Sequence, residues 1–223
     1  MANLTCANLI ATIRARSGRS NDSVLITTDF VLQALNEGQL DIVSKVPGLL
    51  ALDVSDVTTL TIATDDTEKD LATLNPAHIQ GIWILNGAST RQKGLKYLRK
   101  DYFFGRYIPV ANQGSGEPTK YTRQGTKIIF NCPVASDYNG LYLRIDYTKW
   151  ATTFASITST EASVITNSNE GLILFGLARV YRELALSNPA VETKAVKALF
   201  EYKSWLYEFQ NYNTVQIEEL SGS

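Results

Sequence analysis

Histidine, cysteine and methionine are almost missing from this chain: His78 stands alone, Cys6 and Cys132 are the two cysteines, and Met1 is the one methionine. Each scarcity removes a class of chemistry. A zinc site draws on several Cys or His ligands at short spacing, and neither cysteine has such a companion nearby. His78 has no recognisable triad partner, so a capping or solvent-facing role is expected of it. The two thiols read as small buried apolar groups, and whether they pair stays open, since a disulfide needs an oxidising compartment.

Excess charge of either sign is absent as well. Lys and Arg number 21 against 22 Asp and Glu, a formal net charge of −1. A dedicated nucleic-acid-binding protein normally shows a basic excess or a long basic stripe. No run approaches the ~18 apolar residues of a membrane span. The start, Met1-Ala2-Asn3-Leu4-Thr5, has no basic segment ahead of an apolar one, so no secretory signal is visible and synthesis in the cytoplasm is expected. Gly114-Ser115-Gly116 lacks the strand before and helix after that a phosphate loop needs. Asp65, Asp66, Glu68 and Asp70 lack the Gly and terminal Glu of a calcium loop, and read as a solvated turn. The expectation is a protein that is not an enzyme and holds no cofactor or metal.

What is present is apolar content, 44% of 223 residues, enough for one or two packed cores. Helical spacing appears at both ends. Leu4, Ala7, Ala11 and Arg14, with Leu9, Ile10 and Ile13, predict a helix over 4–17 that Gly18 ends. Thr27-Thr28-Asp29 caps a second over 28–46, stopped by Pro47-Gly48. Asn167 and Glu170 resemble a capping box opening a helix over 168–186, apolar nearly all round and therefore central. Pro189 restarts a helix to 211 whose face is Val191, Ala195, Val196, Leu199, Tyr202, Leu206, Phe209 and Gln210.

Between these ends the period changes to two. Strands are expected at Val57–Ala63, Gly81–Gly87 with a partner at 94–98, Thr119–Arg123, Lys127–Cys132 and Leu141–Trp150. Asn86-Gly87 signals a hairpin, and Asp137-Tyr138-Asn139-Gly140 a turn joining the last two strands. Residues 100–105 read as a short helix or turn, and Ala111–Glu117 as a mobile loop. The fold class expected is α+β: a helical bundle of residues 1–50 and 165–213, an inserted antiparallel β region over 51–164, and an extended arm over 214–223.

One stretch stands out chemically. Arg91, Lys93, Lys96, Arg99, Lys100 and Arg106 interleave with Tyr97, Tyr102, Phe103, Phe104 and Tyr107. Such mixing can bind nucleic acid or anchor a protein interface. With no basic excess elsewhere, a protein interface is preferred, through Arg91, Lys96, Tyr97, Arg99, Tyr102, Phe103 and Arg106. Arg14, Arg16 and Arg19 form a second basic group, also expected at an interface. The tail carries Tyr212, Val215, Ile217 and Leu220 among polar residues, which suits burial on a partner.

The order of four stretches resembles the head-to-tail adaptor (connector) proteins of tailed bacteriophages, the group that includes the tail tubular A proteins of short-tailed phages. These are Arg14-Ala15-Arg16-Ser17-Gly18 closing the first helix, Phe30–Val43 with Leu35-Asn36-Glu37, the sheet region from Pro118-Thr119-Lys120-Tyr121 to Ile145-Asp146-Tyr147 with Trp150, and Glu170–Ala185 followed by Lys194–Tyr207. The resemblance implies a virion neck subunit forming a ring, typically twelve-fold, between the portal protein and the tail nozzle or tail fibre proteins. It implies a lumen passing double-stranded DNA without sequence reading, and a tail (Tyr212, Val215, Ile217, Leu220) that docks on the portal. Rival readings are another neck or tail protein, an enzyme with a scattered site, and a monomeric carbohydrate-binding β module using Trp83, Trp150 or Tyr138.

Overall fold

A computed structural model describes residues 3–19, 25–49, 52–56, 60–86, 90–158 and 160–221, with side chains placed for all but 86, 90–92 and 214–221. It is an α+β protein whose chain divides into two compact units. One is made of residues 1–52 and 150–223, the other of 53–149.

The first unit is helical. Helix α1 (Cys6–Ser17) opens with the Thr5 hydroxyl accepting from the Asn8 amide at 3.3 Å. It ends at Gly18, whose φ of 72° is a left-handed conformation that glycine adopts at least cost. Helix α2 (Thr28–Lys45) is capped by Thr27, whose hydroxyl accepts from the Phe30 amide at 3.1 Å. Helix α4 (Asn169–Ser187) is the central one. It buries Leu172, Ile173, Leu174, Leu177, Val180 and Leu184, and α1, α2 and α5 (Glu192–Ser221) pack around it. Glycines let the backbones close up. A Cβ at Gly176 would meet the Ile13 side chain at 2.4 Å, and one at Gly171 would meet the Trp205 ring at 2.2 Å.

Three details of this unit differ from expectation. Asn167 and Glu170 do not form a capping box: Asn167 sits at φ 59°, and the N-cap, Ser168, makes no side-chain cap bond. Glu170 instead pairs with Arg16 at 2.7 Å. The boundary falls at Trp150 rather than at residue 165. Asn36 and Gln39 of α2 hold the returning segment: the Phe154 amide donates to Asn36 Oδ1 at 2.8 Å, and Asn36 Nδ2 donates back to the Phe154 carbonyl at 3.2 Å. Gln39 Nε2 donates to the Thr152 carbonyl, and the Ser163 hydroxyl donates to Gln39 Oε1. Nor is the C-terminal segment an extended arm. Helix α5 runs from Glu192 to Ser221, because the backbone continues its i→i−4 ladder past Phe209, the last buried residue among those whose side chains are described.

The second unit is a small two-sheet sandwich. One sheet has the order β1 (Asp53–Asp56), β8 (Tyr142–Lys149), β3 (Pro76–Asn86), β4 (Thr90–Gly94), all antiparallel. The other runs β2 (Glu68–Asp70), β7 (Lys127–Phe130), β6 (Lys120–Gln124), β5 (Lys96–Tyr97), where the two-residue β5 pairs with β6 in parallel. Ile82, Ile84, Leu143 and Ile145 of the first sheet share one core with Tyr121, Ile128 and Phe130 of the second. Helix α3 (Lys100–Tyr107) sinks Phe103 against Val110 and Ile129.

The strand expected at 57–63 is an isolated bridge, Thr61 to Tyr142, with residues 57–59 outside the described set. The expected hairpin turn at Asn86-Gly87 runs into residues 87–89, which also lie outside it. Asn139-Gly140 forms a turn with φ −63° then 78°, type II rather than a hairpin type, because β7 and β8 belong to different sheets. In the Ala111–Glu117 loop, expected to be mobile, the Gly116 amide donates to the Pro133 carbonyl at 2.9 Å and the Gly116 carbonyl accepts from the Ala135 amide.

Candidate assembly surfaces

Strand β5 and helix α3 place the basic–aromatic stretch on one ridge of the sandwich. Burial of Phe103 fixes the rotation of α3, which turns Arg99, Tyr102 and Arg106 outward at helical spacing. Tyr97 and Tyr102 are 53% and 57% exposed, and Ile108, just after the helix, 52%. Arg106 Nη1 donates to the Tyr102 hydroxyl at 3.1 Å, which holds the pair in one arrangement and raises the already high pKa of the guanidinium. Lys100 stands 5.6 Å from the centre of the Phe104 ring. Lys120 Nζ donates to the Tyr107 hydroxyl at 2.9 Å. Between residues 96 and 106 the ridge carries Lys96, Arg99, Lys100 and Arg106 against the single acid Asp101. Arg99 is 3.9 Å from that acid.

The ridge therefore gathers Lys96, Tyr97, Arg99, Tyr102 and Arg106. Phe103, expected at the interface, is a correction: it is fully buried, because α3 needs one aromatic anchor in the sheet and the neighbouring Tyr102, about 100° round the helix, faces out. The side chain of Arg91 lies outside the described residues, as does that of its neighbour on β4, Gln92. Lys93 is committed to Glu117 at 2.9 Å.

The other basic group divides. Arg16 forms a two-point contact with Glu170, at 2.7 and 3.3 Å, which keeps it charged and raises its pKa, chiefly through that hydrogen bond. Arg14 is half-buried on α1, and Arg19 is exposed just after the Gly18 cap.

The remaining candidates are absorbed by local structure. His78 lies on β3 opposite Thr148. Asp66 accepts from the Ala63 amide and pairs with Lys69 at 2.5 Å, Glu68 pairs with Lys127, and Asp70 accepts from the Ala72 amide. The Trp83 ring lies across Gly81 and Gly94 and stands 5.9 Å from the Arg144 guanidinium. Tyr138 packs on the sandwich core, and Trp150 belongs to the helical unit.

Sequence reasoning missed a surface altogether. Of the face assigned to the last helix, Tyr202, Leu206 and Phe209 are buried with Ala198, but Val196 and Leu199 are not. They look outward, with Phe200 beside them at 72% exposure. The C-terminal half of α4 and the start of α5 bound a groove of about 460 Å³ floored by Ala178, Ala185, Leu186, Val196 and Leu199, with Arg179 and Arg182 on one wall. The signal was in the sequence: α5 has more apolar residues than one stripe can bury. At the far end of the helix Tyr212 is exposed, while the side chains of Val215, Ile217 and Leu220 lie outside the described residues.

Comparison with models of known protein families finds no match to the chain, and comparison with curated proteins finds none either. Among the described residues no helix is long and apolar enough to cross a membrane.

Proposed function

We propose that this protein is a non-catalytic structural subunit of a tailed-bacteriophage neck, a head-to-tail adaptor that assembles as a ring between portal and tail in the virion. The observation that carries the reading is the architecture. Both ends of the chain build one helical unit, a β sandwich is inserted between residues 52 and 150, and α5 runs on beyond the bundle. Exposed Tyr, Arg and apolar residues gather on surfaces, the composition of contact patches that mate with other proteins. The ring order would be the twelve of the proteins it resembles. The near-zero net charge suits a channel wall past which double-stranded DNA slides, since a strongly basic wall would hold it. The ridge of Tyr97, Arg99, Tyr102 and Arg106 is the surface offered to the tail nozzle or fibre proteins.

The test is cryo-electron microscopy of the purified protein mixed with the portal ring of its own phage. A ring of subunits seated under the portal is the expected image. Portal rings that stay bare at a large excess of this protein would sink the reading. A second reading, another neck or tail component, draws on the same ridge and predicts capture by tail proteins that Tyr102→Ala weakens, with portal rings left bare.

A further inference from the structure

The groove between α4 and α5 has an apolar floor, and its charged lining is two arginines of α4, Arg179 and Arg182, and one acid at the start of α5, Glu192. Arg179 pairs with Glu37 at 3.0 Å, yet its buried Nε has no hydrogen-bond partner among the described residues, and Arg182 stands exposed beside it. Leu186, 78% exposed, and Val196 leave the floor open to solvent. An occupant needs an apolar surface bearing carboxylates.

The chain contains such a segment. Residues 214–220 read Thr-Val-Gln-Ile-Glu-Glu-Leu, with three aliphatic residues and two adjacent acids. The backbone there is helical, as the last part of α5. Helix α4 begins at Asn169, and its Gly171 lies under Trp205 of α5. Beyond about residue 209 helix α5 therefore has no α4 beside it and overhangs by twelve residues to Ser221, roughly 18 Å at ~1.5 Å per residue.

This overhang cannot fill its own groove. The groove is lined by residues 192–199 of the same helix, and Val196 and Ile217 are about 30 Å apart along its axis. We infer that residues 214–221 of α5 dock into the α4–α5 groove of a second copy of this chain, with Glu218 and Glu219 meeting Arg179 and Arg182. Such a contact is heterologous: the end of one copy enters the side of the next, which closes into a ring when the rotation allows it. The inference rests on the reading of the chain as an assembling subunit, and it gives the helix end to a neighbour rather than to the portal.

The test uses the full-length protein with no portal present. A tagged Ala185→Cys chain is mixed with an untagged Gln216→Cys chain and treated with a short bismaleimide. The native cysteines are buried, so the added thiols are the ones that react. A tagged–untagged dimer is expected. Adding Arg182→Glu to the tagged chain should reduce its yield about tenfold, and adding Glu218→Lys with Glu219→Lys to the untagged chain should restore it. Arg182 is exposed, and an unchanged thermal melt checks that its variant folds. Three results overturn the inference: no such dimer, a dimer indifferent to Arg182→Glu, or a dimer that forms only after portal rings are added. Portal binding without the cross-link would leave the adaptor reading standing and remove this one. The cross-link without portal binding would do the reverse.

Discussion

Asn36 is the residue on which the helical unit depends most visibly for its closure. Its side chain makes the pair of bonds to Phe154 that a neighbouring strand would make, at 2.8 and 3.2 Å. Replacing it with alanine leaves an amide and a carbonyl without partners, and a buried polar group left so costs about 1–3 kcal/mol. Asn36→Ala should lower the denaturant midpoint accordingly and speed hydrogen exchange at the Phe154 amide. Unchanged exchange there would show that the segment is held by something else. Nothing in the sequence announced this role, since the partner lies 118 positions away. Single residues were legible where the partner is local, as with Thr27 and Gly18, and illegible where it is remote. The sandwich offers a pH test at the same scale. Burial, then the charge of neighbouring Tyr97, pushes the Tyr121 hydroxyl up to about 12, with Arg123 opposing. In the unfolded chain it ionises near ~10. The raised value means its contribution is fully present below pH ~10 and is lost as pH climbs towards ~12, because the unfolded state gives up the proton first. Burial and the Asp41 hydrogen bond push Tyr202 up in the same sense. Guanidinium midpoints measured from pH 8 to 11 should fall, and Tyr121→Phe should make the fall shallower. An identical slope in the variant would remove Tyr121 from the account.

Among the elements, α4 organises its unit, and its apolar circumference was legible because no other burial pattern suits a helix polar on so little of its surface. Leu177, 7% exposed, faces the helices around it. An aspartate there places a carboxylate in the core without a partner, at a cost of several kcal/mol. Leu177→Asp should abolish cooperative melting of the helical unit near neutral pH and recover part of it in acid, where the carboxyl is neutral. A variant that stays soluble and melts as the wild type does would show that α4 is not central. Other elements were read less well, for physical reasons. The β-branched alternation over 57–63 signalled a strand, yet the described part, from Leu60, makes one bridge, Thr61 to Tyr142, on the short edge of β8 that β1 leaves free beyond Ile145. The basic–aromatic ridge was legible apart from Phe103. Adjacent aromatics on a helix point in different directions, and only the sheet beneath decides which one enters. Of the α4–α5 groove only the surplus of apolar residues on α5 was legible, since the groove itself exists only once two amphipathic faces are set side by side with their apolar stripes offset.

At the scale of the molecule the informative feature is where the chain enters and leaves the sandwich. Asp53 opens β1 and pairs across from Thr148, near the end of β8. Opposed residues in an antiparallel pair stand about 4.5–5.5 Å apart at Cα. The helical unit is thus interrupted at two points, Leu52 and Trp150, that a few residues can bridge, and each unit buries its own apolar cluster. Domains with separate cores generally fold separately. Replacing residues 53–149 with a four-glycine linker should therefore give a soluble helical protein with one cooperative transition, and residues 53–149 alone should give a β-type circular dichroism spectrum with Tyr121 still resisting ionisation. The bonds that Asn36 and Gln39 make to Phe154, Thr152 and Ser163 lie within the retained part, so they should persist in the shortened protein. The α4–α5 groove and the end of α5 lie there too, so the shortened protein should also give the Ala185–Gln216 cross-link between copies. Collapse to an uncooperative globule on removal of the sandwich would mean that the helical unit borrows stability from the insert, and that the two halves evolved as one folding unit rather than as a bundle with a domain set into it.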